Sequence, residues 1–147
     1  IRCCNSEHGL VNVDLDSVEY KDKLIIEHCN VKSEHFGGWE RIPTNYCDGW
    51  EDFGDAYGGI EVFVDKSIRM VKVIGMAKLE ASSLTNYHKS ILNLPYKPKN
   101  QSFILGIRGK DGSYVSDLFR VTSDQTFEYW GDVSNIKVCC VEFTYQF

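Results

Sequence analysis

Hydrophobic and polar positions alternate through most of this chain, most cleanly at its end. Cys139, Val141, Phe143, Tyr145 and Phe147 fall on one face, and Glu142, Thr144 and Gln146 on the other. Period two over such a run specifies a strand with one buried face. Gln101–Arg108 and Tyr114–Val121 are two further apolar runs, joined through Lys110-Asp111-Gly112-Ser113. Asp-Gly there predicts a tight hairpin, because that turn needs positive φ. Thr126–Trp130 follows a Ser123-Asp124 turn and is broken by Gly131-Asp132.

The same pattern recurs upstream. Ile60–Val64 and Ile68–Ala77 are β-branched runs joined by Asp65-Lys66-Ser67, a hairpin pattern. Gly75, near the end of the second run, predicts a bulge or a close backbone approach. Pro95 and Pro98 cannot continue a ladder, so the chain leaves the sheet there. Between these, Glu80–Asn93 is polar without a helical stripe and reads as a long loop with at most a strand edge. Phe36–Pro43 is a breaker followed by a short extended segment. Leu10–Asp16 alternates as a first strand, Leu24–Val31 is a second, and Ile1–Gly9 is a polar leader without periodicity. Short strands with no amphipathic helix predict an all-β fold, an antiparallel β-sandwich or jelly-roll-like barrel. Phe103, Phe119 and Phe143 are expected in its core.

With 147 residues, the chain is expected to hold one principal domain, 38–147, behind an N-terminal neck or shoulder, 1–37. A net charge of −5 argues against a nucleic-acid partner, which requires a basic face. No apolar run reaches the length of a membrane-spanning helix, so no membrane insertion is expected. The chain opens on Ile1 rather than methionine, as a processed or excised segment would.

Six cysteines fall as Cys3-Cys4, Cys29, Cys47 and Cys139-Cys140, without the C-x-x-C spacing of structural zinc. Free, largely buried thiols are the favoured reading, with disulfides of a secreted protein left open. On a strand, Cys139 and Cys140 point to opposite faces. Catalytic patterns are sparse. His8, His28, His35 and His88 are scattered, and Glu27-His28-Cys29 on a strand turns His28 and Cys29 apart. The acidic group Asp48, Glu51, Asp52 and Asp55 lacks calcium-loop order and reads as a solvated turn. No enzyme activity, metal or cofactor is expected. The aromatics are more informative, because several flank turns beside polar residues: Tyr57 before Gly58, Tyr87 between Asn86 and His88, and Tyr129-Trp130 before Gly131-Asp132. An aromatic face beside hydrogen-bonding groups is what a sugar ring requires. The competing role for Trp39 and Trp130 is capping the core edges.

The order of these features resembles a known family. Gly49-Trp50, the Gly58-Gly59 break, Val71-Lys72-Val73-Ile74-Gly75, Leu94-Pro95-Tyr96-Lys97-Pro98, the Gly109–Gly112 hairpin, Leu118-Phe119-Arg120-Val121 and the aromatic last strand follow one another as in C-terminal head domains of bacteriophage tail fibres and receptor-binding proteins. The resemblance implies a virion tail protein assembled in the bacterial cytoplasm. It further implies a homotrimer that contacts other tail or baseplate proteins and attaches to host cell-surface polysaccharide without catalysis. On that reading the sugar contacts are expected on the loops 82–89, 111–113 and 130–135, with Trp130 as stacking platform and Asp132, Asn86, His88 and Tyr129 beside it. Two alternatives are a secreted, disulfide-stabilised lectin-like domain and a phage structural or decoration protein without a receptor role.

Overall fold

A computed structural model describes residues 2–5, 9–12, 38–81 and 83–147. The chain divides into two compact units, Ile1–Gly38 and Trp39–Phe147. In the first, β1 (Arg2–Asn5) pairs antiparallel with β2 (Gly9–Asn12), from Arg2 opposite Asn12 to Asn5 opposite Gly9. Within the expected polar leader, Arg2–Asn5 is therefore a strand, its pairing being carried by the backbone rather than by an apolar pattern. The expected strand Leu24–Val31 lies outside the described residues.

The second unit is a single curled antiparallel sheet of nine strands, a half-barrel. Its strands are β3 (Glu40–Ile42), β4 (Trp50–Asp52), β5 (Glu61–Asp65), β6 (Met70–Leu79), β7 (Ser90–Asn93), β8 (Ser102–Lys110), β9 (Ser113–Val121), β10 (Thr126–Tyr129) and β11 (Val138–Gln146). The order across the sheet is β3-β5-β6-β11-β8-β9-β10-β7, with β4 also on β6. At the far edge, residues before β4 pair with β7: the Cys47 amide donates to Ile91 O and the Asn93 amide to Asn45 O, both at 2.9 Å. The short segment from Asn45 to Asp52 thus touches both β7 and β6, and so curls the sheet.

The core lies on the concave face. Val71, Val73, Ala77 and Leu79 of β6 meet Cys139, Val141, Phe143 and Tyr145 of β11, and Phe119, Val121, Phe127 and Tyr129 close the other side. Phe127 stacks between Phe119 and Phe143, with centroids 5.5 and 4.7 Å away. The last strand has the alternation read from the sequence, Cys139 buried and Cys140 half-exposed. Cys47, Cys139 and Cys140 are free thiols. Phe103 departs from expectation. It is 57% exposed on the convex face, while Ile104 beside it packs against the core.

Turn chemistry follows local sequence. Asp111 (φ 51°) and Gly112 (φ 77°) make the tight β8–β9 turn. The Asp65 carboxylate accepts from the amides of Ser67 and Ile68, and so organises the β5–β6 turn. A hydrogen bond from the Ser67 hydroxyl, ahead of those two amides, holds the Asp65 carboxyl below its usual range. Gly75 has φ 134°, and a Cβ there would run into the Gly59 carbonyl. That is the close approach its position in the strand predicted. Gly75 also marks a change of partner: β6 pairs with β5 up to Ile74 and with β4 from Ala77 onward. The stretch expected to be a long loop contains a 3-10 turn, Asn86–Lys89, and the edge strand β7.

Candidate functional site

Where β6 changes partner, the chain makes an excursion between β4 and β5. Gly54 (φ 85°), Asp55 (φ 52°) and Gly58 (φ 63°) allow a tight loop around the 3-10 turn Asp55–Tyr57. The Gly54 amide donates to Gly58 O at 2.7 Å and closes it. This loop forms one wall of an open cleft of about 750 Å³. Tyr57, 69% exposed, stands in the wall, braced edge-on by Phe53 with centroids 5.6 Å apart.

The floor is polar and fixed. The Tyr46 hydroxyl donates to Asp52 Oδ1 at 2.7 Å and accepts from the Ile60 amide at 2.8 Å. The Thr44 hydroxyl donates to the Ile60 carbonyl. Burial, outweighing the Ile60 amide, and then the Asp52 carboxylate push the Tyr46 phenol well above its ordinary pKa, so it stays a protonated donor to Asp52. Gly59 matters here because any Cβ would occupy the place of the Asp52 carboxylate. Across the cleft, Arg41 and Glu61 form an ion pair at 2.9 Å, both largely in solvent. The cleft therefore offers one aromatic face, two carboxylates, a guanidinium and a held hydroxyl in an open, wet setting. These are the groups that stack on and hydrogen-bond a polyhydroxylated ring.

The residues expected from sequence lie elsewhere and serve mixed ends. Tyr129 is 2% exposed, and its hydroxyl donates to Asp117 Oδ2 at 2.8 Å. Burial first, then the Asp117 carboxylate, push its phenol to about 12. On Asp117, burial acts upward, but hydrogen bonds from Arg108 (2.6 Å), the Leu118 amide and Tyr129 win, and its carboxyl stays low. Tyr129 thus belongs to the fold, its hydroxyl held in a half-buried network with Asp117 and Arg108. His88 is likewise buried at 8% exposure: its Nδ1 accepts from the Thr85 amide at 3.0 Å as part of a capping box. Asn86 is exposed on the same turn.

Asp132 is exposed and caps the 3-10 turn Val133–Asn135 by accepting from the Ser134 amide at 2.9 Å. That amide, with the charges of Lys89 and Lys110 behind it, keeps its carboxyl below the usual range. The turns Asn86–Lys89 and Val133–Asn135 pack together, and Lys110 Nζ donates to Ser134 O at 2.6 Å. The three expected loops thus gather at one end of the sheet. Trp130 faces away from them, on the convex side. Its ring is edge-on to Phe103, with centroids 5.4 Å apart, and the Arg120 guanidinium lies 4.4 Å over one face. One stacking surface of the indole is already occupied.

The cleft escaped sequence reading because its contributors are spread from Arg41 to Glu61 across three strands and a loop. The local trace was Tyr57 between closely spaced glycines. The acidic residues nearby are dispersed: Glu51 pairs with Lys78 at 3.1 Å, and Asp52 serves the cleft floor. Among the described residues no three such groups converge as a metal site.

No family model and no curated protein matches the sequence. Among solved structures, the chain is similar to the receptor binding protein (gp15) of Listeria phage PSA, with a TM-score of 0.62 at 10% identity. The match covers 93% of this chain and 83% of that one. At such identity the likeness concerns the fold.

Proposed function

We propose that the chain is a non-catalytic receptor-binding domain of a phage tail that attaches to host cell-surface saccharide, and that the saccharide sits in the Tyr57 cleft. One observation carries the proposal: a fold like that of a phage receptor binding protein, extending over 93% of the chain, holds an open cleft with an exposed aromatic beside fixed carboxylates. Sequence order of motifs supports the same class independently. Placing the sugar at Tyr57 rather than Trp130 follows from exposure, since Tyr57 is 69% exposed and Trp130 shares a face with Arg120. Virion location and contacts with other tail proteins belong to this reading.

The test uses the full chain, fluorescently labelled, on isolated wall polysaccharides from a panel of bacteria. Saturable binding to at least one is expected, without release of reducing ends. Tyr57→Ala should weaken it ten- to hundredfold, the loss of one stacking aromatic worth about 1–3 kcal/mol. Absence of binding across the panel, or full binding by a folded Tyr57→Ala, overturns the proposal. Binding only to soluble glycans of cellular organisms, with oxidised cysteines, would favour the secreted lectin-like alternative.

A further inference from the structure

Cations on this acidic chain are mostly matched. Arg41, Lys72, Lys78, Arg108 and Arg120 each stand against a carboxylate. Arg69 and Lys99 differ: both are exposed, and among the described residues neither forms an ion pair. They meet at the end of the sheet where β6 begins and β11 stops. The Phe147 amide donates to Arg69 O at 3.0 Å, and the Lys99 amide to Gln146 O at 2.7 Å. Arg69, Lys99, Gln146 and Phe147 line an open cavity of about 430 Å³ there. Asp65, the carboxylate of the adjoining β5–β6 turn, is buried and already engaged by Ser67 and Ile68. The cavity is held firmly. Its floor is the Phe147 ring, stacked on Tyr96 with centroids 4.2 Å apart, and the Tyr145 hydroxyl fixes Tyr96 by donating to its carbonyl at 3.0 Å. Arg69 sits at φ 54°, in the left-handed region where glycine or asparagine is the usual occupant. A long cation kept in that conformation is a local cost of the kind that marks functional positions. Its guanidinium carbon lies 5.5 Å from the centre of the Phe147 ring, close enough for the ring to steady it.

We infer that this cavity binds a phosphate group. The Arg69 guanidinium presents a planar fork of donors that matches two phosphate oxygens, Lys99 adds a compact positive charge, and the Gln146 side-chain amide on the cavity wall adds a neutral donor. The two charged groups can only donate, so a bound cation gains nothing from them. Magnitude separates phosphate from carboxylate. A phosphate monoester carries about −1.5 to −2 at pH 7, which two cations neutralise, whereas a carboxylate leaves one of them unmatched. The net charge of −5 does not decide the matter, because salt screens exposed charges beyond about 8 Å and leaves the local cations in control. Lys66 and Lys97, exposed on the same two segments, add to the attraction at closer range. Inorganic phosphate and a phosphorylated sugar share this chemistry. The cavity has no lining residue in common with the Tyr57 cleft, so the inference does not rest on the saccharide proposal.

Backbone-amide NMR of the full chain tests it, with glucose 6-phosphate, inorganic phosphate, glucose and acetate titrated in turn at neutral pH and constant ionic strength. Glucose 6-phosphate should shift the amides of Arg69, Lys99, Gln146 and Phe147 saturably, and glucose should leave them in place. Inorganic phosphate should move the same four amides; equal affinity assigns all recognition to the phosphate, and weaker affinity adds a contribution from the sugar ring. Arg69→Gln and Lys99→Gln should each weaken the binding about tenfold, as loss of one charge-assisted hydrogen bond does. Arg69→Lys, which keeps the charge and loses the fork, should fall between Arg69→Gln and the wild type. Both side chains are exposed, so the melting temperature should hold. The inference is overturned by the lack of a saturable shift at these amides, by one that survives both substitutions to glutamine, or by an equal response to acetate. Tyr57→Ala should leave the phosphate titration unchanged, so failure of the cleft and failure of this site are read separately.

Discussion

The Trp50 indole donates its Nε1–H to the backbone carbonyl of His88 at 2.8 Å, across 38 residues of sequence. The bond is buried, and it ties β4 to the turn that leads into β7. Its acceptor belongs to the residue whose own ring caps that turn through Thr85. Trp50→Phe would leave the carbonyl unpaired and open space beside Leu79. A loss of about 2–4 kcal/mol is expected, read as a lower midpoint in urea with the slope unchanged.

Gly75→Ala should be the costliest methyl group that can be added to the sheet. At φ 134° an alanine is strained whatever the space, and its Cβ meets the Gly59 backbone rather than a movable side chain. The expected cost is about 3 kcal/mol or more. Thermal melting of Gly75→Ala beside Gly112→Ala makes the comparison, since Gly112 has positive φ but nothing within reach of a Cβ. The first should fall much further.

Stability should decline steeply in alkali. Tyr129 and Cys139 are pushed by burial to about 12, from ordinary values of 10.0 and 9.0, and burial raises Tyr46 and Tyr145 as well. Groups with raised folded values stabilise the protein fully below their unfolded pKa, and that contribution is lost as pH climbs through the folded one. The melting temperature should therefore fall from about pH 9 toward 12, and Tyr129→Phe should flatten part of that limb. On the acid side Asp117 and Asp65, both held low, act in the opposite sense: their contribution is present above about pH 4 and lost as pH drops through their lower folded values.

Trp130→Ala separates two roles for one residue. Its place on the convex side, against Phe103 and Arg120, predicts unchanged wall binding and an unchanged β spectrum. A loss of wall binding by the folded variant would return Trp130 to the ligand site.

Period-two alternation exposed most of this fold because one face of nearly every strand is buried. Cys139 to Tyr145 shows this directly. Where both faces of a strand carry apolar residues, alternation says which residues share a face but not which face is inside. Phe103, Leu105 and Ile107 read as well for the core as Ile104 does, and only the curl of the sheet decides. Tyr129 and Trp130 illustrate the same limit in adjacent aromatics, one with its hydroxyl on Asp117 in the core and the other outward. Asp111-Gly112 and Gly75 were legible because a backbone requirement selects glycine locally. His88 was not, since a histidine accepting from Thr85 leaves no periodic mark. The cleft was hidden for a different reason: Arg41, Asp52 and Glu61 meet only once three strands are laid side by side.

The partner change at Gly75 has an evolutionary consequence. β4 and β5 are both registered on β6, so the chain between them departs from one strand at Ala77 and returns to the same strand at Ile74, three residues along. Residues 53–58 can lengthen, shorten or change side chain without shifting any rung of the ladder. If the chain binds a host surface as proposed, its lineage can thus rewrite one wall of the cleft while inheriting the rest of the sheet intact.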